Sequence, residues 1–463
     1  MDALPLSQIA QYAGGTISSG SSEQIITRIS TDSRTLQPGD LFVPIRGDKF
    51  DGHEFVEQAA ERGASGALVE REWSGNLPPK FAVIRVADTL IGYQQLAAGY
   101  RRSLPLQVIA ITGSNGKTST KDFVAAALGR RFRVTKTEGN FNNHVGLPRT
   151  ILEANSTHEI AVWELGMNHP GEIAALAAIA QANAGIITNI GIAHIEFMGS
   201  EERIAEEKGA LAEAIGEEGT LILNADDRFS ESIARRTRAK IVLAGINRGT
   251  LRATQISQSA GGSEFTILEG AHRCRAQLPV AGLHMVQNAM LAVAAGRLFG
   301  LSLEECAAGL ASAPLTKARL QLRDINGVQF LDDSYNANPD SMKAALRTLV
   351  ELETEGRRIA VLGAMGELGS ESLRGHREVG EAAAAFQIDQ LITVGEVGAG
   401  ISRAALAAGL ENVTNVPGTS EAAEFLATAA SPGDLVLVKG SRSARMERVL
   451  EQFGNQQSAI SNS

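Results

Sequence analysis

Along most of the chain, short uninterrupted apolar runs alternate with longer stretches in which apolar positions recur at helical spacing. Strands buried on both faces of a parallel sheet read as such runs, and the helices that cover them supply the longer period. Between residues 86 and 314 the runs QVIAIT, EIAVWELG, GIITNIG and GTLILNA predict buried strands of a mostly parallel sheet. From 315 to 463 a second doubly wound pattern follows, with VQFLDDS, RIAVLGAMG, DQLITVG, NVTNVP and DLVLVKGSR as strands between Ala-rich helices. Residues 250 to 280 alternate apolar with polar and lack a helical period, which predicts an antiparallel insert. Residues 1 to 85 read as a small α/β unit. There ITRISTDSRTLQPGDLFVPIRG gives strand-like runs split by Pro38, Gly39 and Asp40, and HEFVEQAAERGASGALVE gives a short helix leading to a strand. The predicted class is therefore α/β in three domains: a small amino-terminal unit over 1–85, a central domain with a mostly parallel sheet over 86–314, and a Rossmann-like doubly wound domain over 315–463. The tail NQQSAISNS is expected to be disordered.

Length and charge narrow the class of function. The 463 residues suit roughly two to four domains. A net charge of −9 argues against broad binding to nucleic acid or to anionic membrane surfaces. No stretch is long and apolar enough to span a bilayer, and MDALPLSQIAQYAGG lacks the basic region, apolar core and cleavage site of a secretory signal, so a cytoplasmic protein is expected. Cys274 and Cys306 are widely spaced without a metal-ligand pattern and read as reduced structural thiols.

One helix start carries chemistry. In AITGSNGKTSTKD an apolar strand runs into Gly113, Ser114, Asn115, Gly116, Lys117, Thr118 and Ser119 and then into a helix whose stripe is Phe123 with Ala127 and Val124 with Leu128. Glycines let backbone N–H groups turn toward an anion, a lysine there faces phosphate, and the Thr hydroxyl suits Mg²⁺. Ile111 stands where the longer form of the motif has its first glycine, so the loop is a shortened variant. Nucleotide binding follows, but a ligase, a kinase, a transport ATPase and a nucleotide switch all remain compatible with it.

Other polar residues fall at predicted strand ends, where ligands of open α/β sheets collect. Glu164 closes IAVWE and stands where a Mg²⁺ ligand would, although a helix-start acid reads the same way. His194 follows GIITNIG as a metal ligand or as a hydrogen-bonded structural residue. Lys208 shares a helical stripe with Ile204, Leu211 and Ile215, so it either snorkels or lies buried, with a depressed pKa that favours carbamylation. Asn140, Asn142 and Asn143 crowd one loop as neutral hydrogen bonders for a polar substrate, and Asp333, Tyr335, Asn336 and Asn338 crowd another. Asn338-Pro339 is in addition a helix-start signal. Lys439, Ser441 and Arg442 end VLVK as anion binders or helix caps.

In this order, TDSRTLQPGDLFVPIRGDKFDGHEF, GNFNNHVGLP, ELGMNHPGEI, TNIGIAHIE, DDSYNANPDSM and VLGAMGELG resemble the Mur ligase family of ATP-dependent peptide synthases, from TDSR at 31 to KGSR at 439. The YNANP segment favours the dipeptide-adding member over synthases acting earlier on the same precursor. The resemblance implies an amino-terminal domain that holds the UDP end of the precursor through Asp32, Ser33 and Arg34 and the loop from Gly47 to His53. It also implies a central ATPase domain and a carboxyl-terminal domain that closes over it. Lys117 would hold phosphates, Thr118 and Glu164 one Mg²⁺, and His194 with carbamylated Lys208 a second metal region. Asn288 would contact adenine, and Arg319 and Asp333 the rest of the nucleotide. Ala364 and His144 stand where relatives often carry Asp and Glu or Gln. The implied activity joins D-alanyl-D-alanine to UDP-N-acetylmuramoyl-tripeptide through an acyl phosphate, in a monomer without nucleic-acid or stable membrane partners. A sister synthase adding an amino acid, or a nucleotide-dependent switch, are the alternatives.

Overall fold

The computed structural model describes residues 1–47 and 50–460. Among these, three large sheets succeed one another along the chain, each dressed by helices, and the architecture is three-domain α/β. The first sheet pairs Thr16–Ser19 antiparallel with Ala82–Val86 and continues in parallel through Gly66–Glu70, Leu41–Phe42 and Ile29–Ser30. The central sheet has nine strands, of which the first six in spatial order are parallel: Val134–Lys136, Ile160–Glu164, Gln107–Thr112, Ala184–Ile187, Thr220–Asn224 and Lys240–Gly245. Leu251–Ser259 joins this edge in parallel and then pairs antiparallel with Gly262–Glu269, followed by His272–Leu278. The expected antiparallel insert is thus present as an extension of the central sheet. The third sheet runs Gln321–Ile325, Val328–Asp333, Leu435–Lys439, Arg358–Leu362, Gln390–Val394 and Val413–Val416, parallel except for its first pair.

The apolar runs form strands because both faces of each sheet are covered. Val108, Ile109, Ala110 and Ile111 are buried, and so is every residue of Ile160–Glu164. Helix Lys117–Leu128 lies over this layer with Phe123, Val124, Ala127 and Leu128 fully buried, the stripe its spacing predicts. Helix Pro339–Glu351 starts where Asn338-Pro339 says it should: Asn338 Oδ1 accepts from the Ser341 N–H at 2.9 Å and Ser341 Oγ reciprocates on the Asn338 N–H at 3.0 Å. The tail expectation needs correction. Helix Glu447–Ile460 runs through 455–460, anchored upstream by buried Val449, Leu450 and Phe453, and residues 461–463 lie outside the described residues. Cys274 and Cys306 are both free thiols. Among the described residues no helix is long and apolar enough to cross a membrane.

Candidate active site

Strand Gln107–Thr112 is the topological switch of the central sheet. Ile160–Glu164 lies on one side, with Glu164 opposite Ile111, and Ala184–Ile187 on the other, with Ile187 opposite Thr112. The connections leave in opposite directions, so a crevice opens at the carboxyl ends of these three strands. The loop 113–116 fills it. Gly113 and Gly116 have φ of 146° and 79°, and a Cβ on either would overlap Thr188 Oγ1 or the Asn288 amide, so only glycine fits both. Backbone and side chains of 188–191 hold the loop open. The Ser114 and Asn115 N–H groups donate to Asn189 O and Oδ1, both at 2.9 Å, Ser114 Oγ bonds Gly191 O at 3.0 Å, and Thr188 Oγ1 donates to Asn115 O at 2.6 Å. Lys117 folds back to donate to Gly113 O at 2.8 Å. Burial lowers its pKa and Arg319 adds to that, while Glu164 opposes it.

Thr118 and Glu164 meet in the floor. Thr118 Oγ1 donates to Glu164 Oε2 at 3.0 Å, Asn142 Nδ2 donates to Oε1 at 2.8 Å, and both Thr118 and Glu164 are buried. Arg319, from the segment joining the second and third sheets, donates from Nη2 to Thr118 Oγ1 at 3.2 Å and lies 4.2 Å from the Tyr335 ring centroid. A hydroxyl and a carboxylate this close are the hard oxygen donors that Mg²⁺ takes together with substrate phosphates. Asn143 has a local duty, since its Oδ1 accepts from the Val145 and Gly146 N–H groups at the start of helix Gly146–Glu153.

His194 has φ of 64° and its Nδ1 sits 2.6 Å from Glu367 Oε2, off the ring N–H axis. Glu367 belongs to the third sheet's loop GAMGELG, so this contact crosses domains. Lys208 is 1% exposed on helix Glu201–Ala214, which removes the snorkelling alternative: Ile204 and Leu211 on its stripe are buried with it, and the amine has no path to water along that face. Its pKa falls well below the usual lysine range, because burial and the Lys117 charge outweigh the attraction of Glu207. Glu207 itself is engaged elsewhere, accepting from the Gly171 and Ile173 N–H groups at the start of helix Glu172–Ala180. Among the described residues no three His, Cys, Asp or Glu side chains converge as a metal-ligand group.

The third sheet presents its own strand ends to the same space. Lys439 Nζ is 2.5 Å from Asp333 Oδ2 and donates to Asn336 O at 2.9 Å, so its charge is committed to this pair and caps no helix. Asn338 Nδ2 donates to Asn115 Oδ1 at 2.7 Å, and the Ile192 N–H reaches Asp340 Oδ2 at 3.3 Å. Between the two sheets lies a cleft of about 1340 Å³. Its walls include Ser114 to Ser119, Asn140, Asn142, Asn143, Glu164, His194, Asn288, Arg319, Asp333, Tyr335, Asn336 and Asn338. Lys208, Ser33 and Arg34 are not among the lining residues, and Arg34 is paired to Asp32 at 2.9 Å on the amino-terminal domain. Of the loop from Gly47 to His53, residues 48 and 49 lie outside the described residues, and Asp51 caps the turn Gly52–Phe55 by accepting from the His53 N–H.

Comparison with known proteins gives this geometry a family. Residues 25–97, 111–296 and 318–442 match the descriptions "Mur ligase family, catalytic domain", "Mur ligase middle domain" and "Mur ligase, glutamate ligase domain". The UDP-N-acetylmuramoyl-tripeptide--D-alanyl-D-alanine ligase of Bacillus subtilis (strain 168) is 40% identical over 448 residues, 96% of this chain and 97% of that protein. The chain belongs to the Mur ligase family. The enzyme of the same name from Escherichia coli (strain K12) is 36% identical, over 97% of this chain and 98% of its own length. Among solved structures, a crystal structure of MurF from Acinetobacter baumannii superposes with a TM-score of 0.90 at 33% identity, covering 98% of this chain and 99% of that one. The MurF ligase of Thermotoga maritima in complex with ADP superposes with a TM-score of 0.85 at 28% identity, covering 94% and 98%.

In this Mur ligase the sequence reading missed Asn189, Thr188 and Glu367. Thr188 and Asn189 are the polar pair inside the run GIITNIG, directly after the strand Ala184–Ile187, and two polar residues at a strand end beside a phosphate loop were a usable signal. Glu367 had none, because only the packing of the third sheet brings it to His194.

Proposed function

We propose that this Mur ligase joins D-alanyl-D-alanine to UDP-N-acetylmuramoyl-tripeptide at the expense of ATP, giving the pentapeptide, ADP and phosphate. The observation that carries the reading is the buried Thr118–Glu164 oxygen pair, set at the mouth of the glycine loop and faced by Lys117 and Arg319. This arrangement supports a triphosphate lying along the loop, with its negative charge met by the helix start, the lysine and the guanidinium. The γ-phosphoryl group passes to the terminal carboxylate of the tripeptide, whose C–O oxygen becomes the bridge of an acyl phosphate while ADP leaves. The amine of D-alanyl-D-alanine then attacks the acyl carbon, loses a proton, and expels phosphate. A carboxylate and a triphosphate repel each other, so Lys117 and Arg319 serve to hold nucleophile and phosphorus in line. Thr118 and Glu164 would hold Mg²⁺, which supplies charge neutralisation at the phosphate oxygens when bound. Lys208 supports a carbamate on chemical grounds: its buried amine has a depressed pKa and therefore a neutral form to react with CO₂.

Neither thiol suits a covalent route. Burial pushes Cys306 up to about 12 and also raises Cys274, so neither is a thiolate near neutrality. The domain roles follow the same reading: residues 1–85 hold the UDP end, 86–314 bind ATP, and 315–463 close the cleft, in a cytoplasmic monomer. An acceptor screen tests the assignment. ADP release in the presence of the tripeptide precursor should require D-alanyl-D-alanine, and turnover with a free diamino acid or glutamate instead would assign the chain to a sister synthase.

A further inference from the structure

The segment that carries Arg319 into the cleft has an unusual backbone. Ala318 and Leu320, its immediate neighbours, sit at φ of 58° and 53°, a left-handed conformation that strains non-glycine residues. Such a conformation persists only where both sides are held. On the carboxyl side, Leu320 is buried and Gln321–Ile325 enters the third sheet. On the amino side Leu315 packs against the core, and the hydrogen-bonded hold is a carboxylate. Asp122 Oδ2 accepts from the Thr316 N–H at 2.9 Å and from Thr316 Oγ1 at 2.7 Å.

Asp122 lies on helix Lys117–Leu128, one turn after Thr118. Residues i and i+4 share a helix face, so Thr118 and Asp122 offer two successive attachment points to the strap that crosses them. Thr316 takes one and Arg319 the other. The Asp122 side chain is wholly buried and is held in place in turn: Lys136 Nζ is 2.7 Å from Oδ1 and Lys121 Nζ 3.5 Å from it, and Lys121 also donates to Thr137 O at 2.8 Å. Burial pushes the Asp122 pKa up, but the Lys121 charge and the bonds from Lys136 and Thr316 more than offset that, which favours the ionised carboxylate.

We propose that Asp122 is a positioning residue for the nucleotide cleft: by pinning Thr316 it fixes the strained strap 316–320 and so sets the Arg319 guanidinium over Thr118 Oγ1. Asp122 is not among the residues that line the 1340 Å³ cleft. It acts on the cleft through the strap. The proposal rests on the reading of Arg319 as a nucleotide contact.

The test is a double-mutant cycle on the full chain, read by titration with a non-hydrolysable ATP analogue and by kcat and KM for ATP. Asp122→Asn and Thr316→Val are near-isosteric, and melting temperatures check that each folds. Each should weaken the analogue and raise KM for ATP by about tenfold with Arg319 present, and by less than about twofold in the Arg319→Ala background. Equal losses in both backgrounds would make Asp122 a structural residue only. No loss in either, or no effect of Arg319→Ala itself, would also overturn the proposal. Binding of the analogue by a parent chain that does not ligate would count against the proposed function while leaving this cycle readable.

Discussion

Asn338 serves two structures with one amide: its Oδ1 caps helix Pro339–Glu351 at the Ser341 N–H, and its Nδ2 donates to Asn115 Oδ1 in the glycine loop, 223 positions away in sequence. The two duties separate chemically. Aspartate is as good a cap as asparagine but has no donor, and it would set a carboxylate against the Asn115 carbonyl oxygen. Asn338→Asp should therefore leave the melting temperature within a few degrees of the parent and raise KM for ATP about tenfold. An unchanged KM would remove this cross-domain bond from the account of nucleotide binding.

Lys208 tests the carbamate. Lys208→Ala should lower kcat by about 100-fold or more, with partial recovery on addition of formate or acetate, which restore an anionic oxygen pair to the space left behind. The parent enzyme supplied with ¹³C-bicarbonate should show a carbamate carbon signal that Lys208→Ala lacks. Absence of that signal together with absence of rescue would leave Lys208 as a buried amine without a catalytic part.

What the sequence made legible, and what it hid, follows from the range of the interactions. The loop 113–119, Glu164 and the helix stripe Phe123 to Leu128 are encoded within a few residues of themselves, by a strand end, a glycine spacing or an i, i+4 repeat. The strand Val134–Lys136 went unpredicted because it is short and polar, and Gln321–Ile325 because charged residues break its run, whereas Lys240–Gly245 carries the apolar run IVLAG, a usable signal that was missed. Arg319 at Thr118 reached the sequence reading only through family resemblance. Nothing local marks Ala318 and Leu320 as left-handed, since the strap between them is flanked by a contact to helix Lys117–Leu128 on one side and by the strand Gln321–Ile325 on the other. The pairing of Lys439 with Asp333 depends on the parallel register of Val328–Asp333 with Leu435–Lys439, which no periodicity specifies.

His284 predicts a pH dependence. Desolvation of the half-buried ring, at the edge of the cleft, brings its pKa down from 6.5 to about 4, with Asp333 opposing the shift and Lys439 adding to it. Above pH 6.5 the ring is neutral in both folded and unfolded chains and contributes nothing. Between 6.5 and 4 only the unfolded chain takes up the proton, so folding stability falls as pH falls, by up to on the order of 2–3 kcal/mol. Below that window the loss is complete. His284→Gln should flatten this part of the stability-against-pH curve measured by urea unfolding, and an unchanged slope would show that the ring is protonated in the folded enzyme.

The central claim is that the carboxylate of the precursor is activated by phosphorylation, and an isotope decides it most directly. UDP-N-acetylmuramoyl-tripeptide carrying ¹⁸O in its terminal carboxylate is incubated with the enzyme, ATP, Mg²⁺ and D-alanyl-D-alanine, and the released phosphate and the peptide product are analysed by mass. Transfer through an acyl phosphate places one ¹⁸O in each phosphate, alongside a pentapeptide of matching yield. Pentapeptide formed with unlabelled phosphate, or ADP and unlabelled phosphate released with no pentapeptide, would contradict it.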